Sequence, residues 1–313
     1  MKRQPYLSLC IPTNGVIEWV SPVLNSIYDE KNPIGEFEVI VTDNGNNEEF
    51  YEFMQSYAKT HSNLIYKKTD AIMFENQIEA FKIASGKLIK FVNHRMMLLP
   101  GTLNYLLKFV IENEEKKPVV YFLDNGCAGR YDNFDHFVKA LSYWSSYSAG
   151  VAMWKSDFNN MDLNKPFNKL FPHTNMIFSV KNRKEYIIDG HKIMKEELTD
   201  ATKKGRYNLF YAFAVEYPAV ILELYRDGDV SYETLKSVMR DNYEFIAKLY
   251  WDYVIMRKPC SYKLEDIKKN VNIFYNYSFL IIKSIKGVIK RKLINKINRS
   301  QSKRLLNIQK IIS

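Results

Sequence analysis

The sequence predicts an α/β protein with a mostly parallel sheet flanked by helices, and three observations support this prediction. Short apolar runs rich in Val, Ile and Phe recur through the first 125 residues. Stretches with the periodicity of amphipathic helices separate these runs, as expected of repeated βα units. Several runs end in polar turn residues. Ligands of such sheets bind at the carboxyl ends of the strands.

The predicted elements alternate along the chain. The apolar runs predict strands at residues 7–11, 37–42, 64–66, 88–92 and 119–123. The intervening periodicity predicts helices at 17–27, from 48, at about 75–84 and from 100 to about 113. Beyond residue 125 the pattern is irregular and aromatic. Apolar residues at helical spacing then follow Ser231, a favourable N-cap residue, and predict a long helix.

The charge of the chain is unevenly distributed. The formal net charge is +10, and residues 257–313 alone contain 15 Lys or Arg and two acidic residues. The preceding part is therefore slightly acidic. This distribution argues against a basic catalytic cleft for nucleic acid, and it predicts a C-terminal segment that meets an anionic surface.

The cysteines and the apolar runs predict the compartment. Cys10, Cys127 and Cys260 lie far apart without CxxC spacing, which indicates neither a zinc knuckle nor a disulfide framework and fits a reducing environment. The N-terminal apolar stretch is too short for a signal peptide. No run reaches the roughly 20 apolar residues of a spanning helix. We therefore expect a cytoplasmic protein.

Four motifs in the first hundred residues combine a predicted strand or helix with polar turn chemistry. They are Ile11-Pro-Thr-Asn14, Val41-Thr-Asp-Asn-Gly45, Asn76 with the later Ala84-Ser-Gly86, and Val92-Asn-His-Arg95 with the later Pro100-Gly101. In this order and spacing they resemble the nucleotide-sugar-binding half of a GT-A glycosyltransferase of the family 2 type. The resemblance covers residues 6 to about 125 by motif and extends to about 225 by general layout.

The resemblance implies a domain organisation. A GT-A domain, Rossmann-like in its sheet, would occupy residues 1–225. Its nucleotide-binding half would span about 6–125 and its acceptor half about 126–225. A helical, basic, membrane-associating region would follow over residues 226–313.

The resemblance also implies roles for individual residues. In such enzymes the loop after the first strand, here Pro12, Thr13 and Asn14, lies against the nucleoside. The acid that closes the second strand, here Asp43, accepts a hydrogen bond from the base, and Asn76 joins the same pocket. A carboxylate suits an imide N–H because a charge-assisted bond is stronger than a neutral one. The residue types alone also allow Asp43 to be only a turn-forming residue.

The chain departs from the family at the position that usually carries Asp-x-Asp, whose carboxylates hold a divalent metal against the sugar donor's diphosphate. Here the residues are Asn93, His94 and Arg95. Hard cations such as Mg²⁺ prefer oxygen ligands, and a guanidinium cannot be a ligand. The sequence therefore predicts no certain cofactor.

Three interpretations of this turn remain open. In the first, Arg95 replaces the metal and offsets charge on the leaving nucleotide, and Asn93 and His94 contribute to the nucleotide-binding surface. In the second, the catalytic site has decayed and the chain is a binding or scaffold protein at the membrane. In the third, Asn93 and His94 ligate Mn²⁺ or Mg²⁺. An arginine beside a histidine suits a leaving phosphate, which favours the enzyme.

An inverting transfer also needs a base for the acceptor hydroxyl. The candidates beyond the central strand are Asp157 and His173, followed by Asp200 and Glu216. The first two also have structural interpretations, since Asp157 can cap a helix and His173 can be a packed loop residue. The sequence narrows the choice of base without deciding it.

The C-terminal segment has the pattern of a basic amphipathic helix. Apolar residues recur at helical spacing, namely Ile282, Ile285, Ile289, Leu293 and Ile297. Lysines and arginines surround them, which is typical of a helix that lies on an anionic membrane. The alternative is an ordinary solvated helix packed on the domain. RNA binding is disfavoured because no nucleic-acid motif accompanies the lysines.

These observations and the resemblance together predict a hexosyltransferase that uses a nucleotide sugar, preferably UDP-linked. The expected acceptor is a lipid-linked or surface glycan in bacterial polysaccharide biosynthesis. The expected location is peripheral, on the inner face of the cell membrane, with no nucleic-acid partner.

Overall fold

A computed structural model describes residues 4–29, 36–196 and 205–287. The predicted strands and helices up to residue 123 are present, with ends within two residues of the predicted bounds. The strands are β1 (Leu7–Thr13), β2 (Phe37–Asp43), β3 (Leu64–Lys68), β4 (Leu88–Phe91), β5 (Met96–Leu98), β6 (Val119–Phe122), β7 (Gly129–Tyr131), β8 (Ala152–Trp154), β9 (Tyr186–Asp189) and β10 (Met194–Glu196).

The helices begin where suitable capping residues stand. Asn47 precedes the second helix and its side chain accepts the N–H of Phe50, and the hydroxyl of Ser231 accepts the N–H of Thr234 as predicted. The helices are α1 (Ile17–Tyr28), α2 (Glu48–Thr60), α3 (Asn76–Ile83), α4 (Thr102–Asn113), α5 (Phe134–Leu141), α6 (Lys155–Asn159), α7 (Pro172–Phe178), α8 (Leu209–Tyr211), α9 (Tyr217–Arg226), α10 (Tyr232–Leu249) and α11 (Ile267–Val271).

The central sheet has the strand order β3-β2-β1-β4-β8. Its first four strands are parallel, and every residue of β2 is buried. Burial of both faces explains why these strands have nearly continuous apolar sequences rather than an alternating pattern. The sheet is therefore mostly parallel, as predicted.

The strand directions define two edges of the sheet. Strand β8 runs antiparallel to β4, with Leu88 opposite Trp154. Strand β6 joins β8 through an antiparallel bridge between Tyr121 and Val151, and β9 is parallel to β6. The carboxyl ends of β1, β2, β4, β6 and β9 therefore share one edge, which we name the carboxyl edge. Strand β8 ends at the opposite edge, the amino edge.

A buried lysine forms hydrogen bonds that hold the segment before β8 at the carboxyl edge. Lys90 on β4 is inaccessible to solvent, and its ammonium donates to the carbonyl oxygens of Phe91 at 2.8 Å, Val151 at 3.2 Å and Ala149. Burial lowers the pKa of Lys90 to about 7. Three carbonyl acceptors thus compensate a charge that has no carboxylate within salt-bridge distance in the described structure.

The described residues divide into two compact units, one of residues 4–29, 36–196 and 219–237 and one of residues 205–218 and 238–287. The domain boundary that the sequence analysis places at residue 225 stays a prediction. The second unit contains π-helical segments at Ala212–Glu216 and Tyr250–Ile255. The buried side chain of Asn242 donates to the carbonyl oxygen of Phe213 at 2.8 Å, which satisfies a group that the π geometry displaces from the helical ladder.

A further helix occupies residues 277–287 of the second unit. The predicted amphipathic stripe continues beyond it, and its residues Ile289, Leu293 and Ile297 lie outside the described residues. Within the described part of the chain, no helix combines the length and apolar character needed to cross a bilayer.

Candidate active site

The loops after β1 and β2 meet at the carboxyl edge because these strands are in register, with Thr13 opposite Asp43. The N–H of Asn44 donates to the carbonyl oxygen of Thr13 at 3.1 Å. A Cβ atom on Gly45 would lie 2.0 Å from the carbonyl oxygen of Asn14, so this contact requires glycine. The Asp-Asn-Gly turn thus fits closely against the first loop.

Asp43 lies beneath these loops with no part of it accessible to solvent. Its Oδ1 accepts the N–H of Gly45 at 2.8 Å. Its Oδ2 accepts bonds from the hydroxyl of Tyr66 at 2.9 Å and the ammonium of Lys68 at 3.1 Å. A carboxylate oxygen can accept two bonds, so Oδ1 retains capacity for one more. A nucleoside can reach it only if the covering loop shifts.

Asn76 bridges the carboxyl ends of β1 and β2 and is 2% exposed. Its amide N–H₂ donates to the carbonyl oxygens of Thr13 at 3.1 Å and Thr42 at 2.9 Å. Its carbonyl oxygen accepts the hydroxyl proton of Thr69 at 2.9 Å. These bonds give Asn76 a positioning role under the loop, whereas the exposed Asn14 and the half-buried Pro12 are accessible to a ligand.

The turn after β4 lies against the first loop and the first helix. Nδ1 of His94 is 2.9 Å from the hydroxyl of Thr13, and its ring centroid is 5.0 Å from that of Trp19 on α1. The guanidinium carbon of Arg95 lies 5.3 Å from the centre of the Trp19 ring. Asn93 accepts the N–H of Arg95 at 3.0 Å, which closes the turn. The sequence analysis does not identify Trp19 as a site residue. The only sequence feature that points to it is its position in the first turn of α1, directly after the first loop.

His94 is neutral at pH 7 in this arrangement. Burial, and secondarily the charge of Arg95, lower its pKa to about 3. Its neutral ring can accept the hydroxyl proton of Thr13 while that hydroxyl oxygen accepts the N–H of Gly15 at 3.2 Å. The turn therefore carries a single positive charge, at Arg95.

His94, which is half-buried, and His173, which is buried, should make the protein less stable in mild acid. The pKa values of His94 and His173 are lowered to about 3 and about 4, so between these values and about 6.5 the unfolded chain binds more protons. The free energy of unfolding should therefore fall as pH decreases from 6.5 to 4. Urea unfolding of a His94→Gln/His173→Gln variant should show a smaller loss across this range, whereas the exposed control His136→Gln should match the wild type. Equal losses in all three proteins would contradict this account.

The residues at the usual metal position do not fit a divalent cation. The oxygen of Asn93 and the Nδ1 of His94 already have protein partners, and Arg95 adds a positive charge. Over residues 4–29, 36–196 and 205–287, no group of three or more His, Cys, Asp or Glu is arranged to hold a metal ion. The turn presents a fixed cation in place of carboxylate ligands.

The structure does not bring Asp157 to the carboxyl edge. It follows β8, which ends at the amino edge, and there it pairs with Arg183. Burial raises the pKa of Asp157 despite this arginine. A cavity of about 820 Å³ adjoins the pair, with Asn168 and Asn175 among its other lining residues. The direction of β8, which the sequence pattern does not show, places Asp157 at the amino edge, and we do not propose it as the base.

His173 is held by the chain that enters β8. Its Nε2–H donates to the carbonyl oxygen of Ser146 at 3.0 Å, and the residue is 4% exposed. An acceptor hydroxyl has little access to such a ring. Of the remaining candidates, Asp200 lies outside the described residues, and Glu216 belongs to the second unit, where it accepts a bond from Tyr211.

Two other carboxylates, Asp124 and Glu196, lie near Tyr147, whose hydroxyl contacts the residue that follows the Asn93–Arg95 turn. Glu196 on β10 is directly opposite Met96, the residue after Arg95. The hydroxyl of Tyr147 is 3.2 Å from Sδ of Met96, and burial together with the charges of Asp124 and Glu196 raises the pKa of Tyr147 to about 12. Both carboxylates are exposed. We name Asp124, Tyr147 and Glu196 the acidic cluster.

The acidic cluster differs from a third carboxylate on the same edge. Asp189 at the end of β9 accepts the hydroxyl of Tyr105 at 2.7 Å and the N–H of His191 at 2.8 Å, so both of its oxygens hold the local chain. The sequence could have indicated Asp124, which follows a predicted strand. It could not have indicated Glu196, whose position depends on the pairing of β10 with β5.

Comparison with solved structures shows that the chain has the GT-A fold. S. aureus TarS 1–349 matches 90% of this chain and 88% of its own, with a TM-score of 0.56 and 14% identity. Its complex with UDP-GlcNAc gives the same TM-score at 16% identity. The mannosyltransferase PcManGT from Pyrobaculum calidifontis, in complex with GDP-Man and Mn²⁺, matches 91% of this chain and 88% of its own, with a TM-score of 0.51 and 13% identity. Such low identities show the fold alone.

The sequence identifies the family. A sequence model of glycosyl transferase family 2 matches residues 8–186, which is more than half of the chain, and the chain belongs to this family. No curated protein sequence matches it significantly. The GT-A fold and the family predicted from the four motifs are both confirmed.

Proposed function

We propose that this family 2 glycosyltransferase moves a hexose from a UDP-linked sugar donor to a glycan or lipid-linked acceptor in the synthesis of a bacterial surface polysaccharide. The observation that carries the proposal is the meeting of three strand ends at the carboxyl edge, where Thr13, Asp43 and Arg95 follow or close β1, β2 and β4. This edge is where parallel α/β sheets bind ligands. The structures of TarS with UDP-GlcNAc and with UDP support a UDP-linked donor, and the structure of PcManGT with GDP-Man makes a GDP-linked donor the alternative.

Arg95 supplies the positive charge that a metal held by carboxylates would otherwise bring to the diphosphate of the sugar donor. Its guanidinium can donate two parallel hydrogen bonds to diphosphate oxygens. Stacking on Trp19 limits the orientations of the side chain. A preoriented cation stabilises the negative charge that develops on the leaving nucleotide. We propose that transfer does not require a metal.

The acidic cluster supplies candidates for the base. Asp124 follows β6 at the carboxyl edge, Glu196 is on the strand paired with the segment that follows Arg95, and both residues are exposed. An acceptor hydroxyl that attacks a sugar held near Arg95 could transfer its proton to one of these carboxylates. In this step the hydroxyl oxygen bonds to the anomeric carbon, the bond between that carbon and the diphosphate breaks, and the carboxylate takes the hydroxyl proton.

One observation favours the alternative, a catalytically inactive GT-A protein that binds or organises partners. The carboxylate of Asp43 is enclosed by Gly45, Tyr66 and Lys68, so the direct bond to the base needs a loop shift. A chain that binds no nucleotide would keep the same bonds as structural ones.

Calorimetric titration with UDP distinguishes these two functions. We expect wild-type protein to bind UDP and Asp43→Asn to bind it about tenfold or more weakly, because a charge-assisted bond worth about 1.5–3 kcal/mol becomes a neutral one. Asp132→Asn, an exposed matched control, should bind like the wild type. Circular dichroism must show that the variants are folded. Absence of UDP binding by folded wild-type protein supports the inactive alternative, and unchanged affinity in Asp43→Asn removes Asp43 from the pocket.

A further inference from the structure

The helix at 277–287 in the second unit presents an apolar face to solvent. Its buried side consists of Leu280 and Ser284, which are 0% and 1% exposed. The opposite side carries Phe279, Ile282 and Ile285, which are 62%, 47% and 45% exposed. A solvated surface helix normally has polar residues on its outward side. This helix has three large apolar residues there.

Several bonds fix the helix in this orientation. The side chain of Asn276 accepts the N–H of Phe279 at 3.2 Å and caps the helix. The hydroxyl of Tyr243 donates to the carbonyl oxygen of Asn276, and Lys283 pairs with Glu244. The outward apolar face is therefore set by contacts on the other side of the helix. Rotation that buried Ile282 would break them.

The charge around this face selects its partner. Lys283 and Lys286 lie on the same helix, and residues 288–313 contain eight Lys or Arg and no acidic residue. In the sequence, Ile289, Leu293 and Ile297 continue the spacing of Ile282. Apolar side chains bordered by cations fit the interface of an anionic bilayer, where the side chains enter the acyl boundary and the cations meet the headgroups.

We infer that Phe279, Ile282 and Ile285 form a docking face for an anionic membrane surface. A second copy of the chain is a poorer occupant because it would bring two strongly basic segments together. This inference is independent of the proposed reaction, since binding to lipid requires neither a sugar donor nor an acceptor. It favours the membrane interpretation of the C-terminal segment over that of an ordinary solvated helix, because the side of the helix that faces solvent carries three large apolar residues.

Vesicle sedimentation of the full chain tests the inference. The probes are vesicles of phosphatidylcholine alone and of phosphatidylcholine with one third phosphatidylglycerol. The wild type should bind the anionic vesicles at least tenfold more strongly than the vesicles of phosphatidylcholine alone. Binding to the anionic vesicles should weaken as the salt concentration rises from about 0.1 M to about 1 M, because the Debye length falls from about 10 Å to about 3 Å. The variant Phe279→Ser/Ile282→Ser/Ile285→Ser should bind at least tenfold more weakly, because serine cannot enter the acyl boundary.

A matched control separates the docking face from general hydrophobicity. Ile72 and Ile111 are exposed isoleucines of the first unit, and Ile72→Ser/Ile111→Ser should bind like the wild type. Because all substituted residues are exposed, the variants should remain folded, which circular dichroism can check. Equal binding of wild type and triple variant, or equal binding to neutral and anionic vesicles, overturns the inference. A third result would also overturn the inference: the wild type binds no vesicles and forms a dimer in light scattering, and the triple substitution abolishes that dimer.

Discussion

Replacement of Arg95 by alanine is expected to lower the rate of sugar transfer by about 10²-fold or more, since a preoriented charge that stabilises the transition state is typically worth this much. The cation lies over Trp19 in a turn that contains no carboxylate. With the guanidinium removed, none of the three residues of the turn carries a positive charge, because His94 is neutral at pH 7. The measurement is single-turnover release of UDP from the sugar donor, which reports the chemical step.

Two further variants give this prediction its controls. Arg95→Lys keeps the charge and loses the two-pronged geometry, so its rate should lie between those of wild type and Arg95→Ala. Arg130→Ala removes an exposed arginine of β7 and should leave the rate unchanged. If Arg95→Ala retains the wild-type rate, Arg95 does not stabilise the leaving nucleotide.

One of the two substitutions Glu196→Gln and Asp124→Asn is expected to lower transfer by about 10²–10⁴-fold, as loss of a general base does. UDP affinity should stay within a few fold of the wild-type value, because the base acts on the acceptor and not on the sugar donor. Each substitution keeps the shape of the side chain and removes its ability to take a proton. Transfer to the acceptor and calorimetric binding of UDP are measured on the same preparations.

The control for this pair is Glu185→Gln, which precedes β9 at the amino edge. It should transfer sugar at the wild-type rate. Normal transfer by both Glu196→Gln and Asp124→Asn would exclude the acidic cluster as the source of the base and would direct attention to Asp200.

The sequence predicted the parallel half of the fold because its signals are local. Strands β1, β2 and β4 are buried on both faces, so each is a continuous apolar run that ends in turn residues. The same runs fix where a ligand should lie. The first loop, the second loop and the turn at Asn93–Arg95 consequently lie close together in the structure, and their role in binding a nucleotide stays a prediction.

The remaining parts depend on contacts between distant segments. Strand β8 has three residues, and nothing in them shows that it runs antiparallel to β4, so the sequence could not show that Asp157 follows a strand that ends at the amino edge. Glu196 reaches the site through a pairing of β10 with β5 across about a hundred residues of chain. Trp19 is on a helix whose apolar pattern would be the same whether the side chain of Trp19 contacted the core or a cation. Residue types and periodicity do not encode such pairings.

Hydrolysis of a panel of nucleotide sugars in EDTA tests the central claim most directly, namely that this family 2 glycosyltransferase uses a UDP-linked sugar donor with Arg95 in the place of a metal. The panel contains UDP-linked and GDP-linked hexoses, because one similar structure was crystallised with each kind. The account predicts that at least one UDP-sugar is hydrolysed and that its rate is the same with EDTA as with added Mn²⁺. Strict dependence on Mn²⁺, or the absence of hydrolysis with every nucleotide sugar, would contradict it.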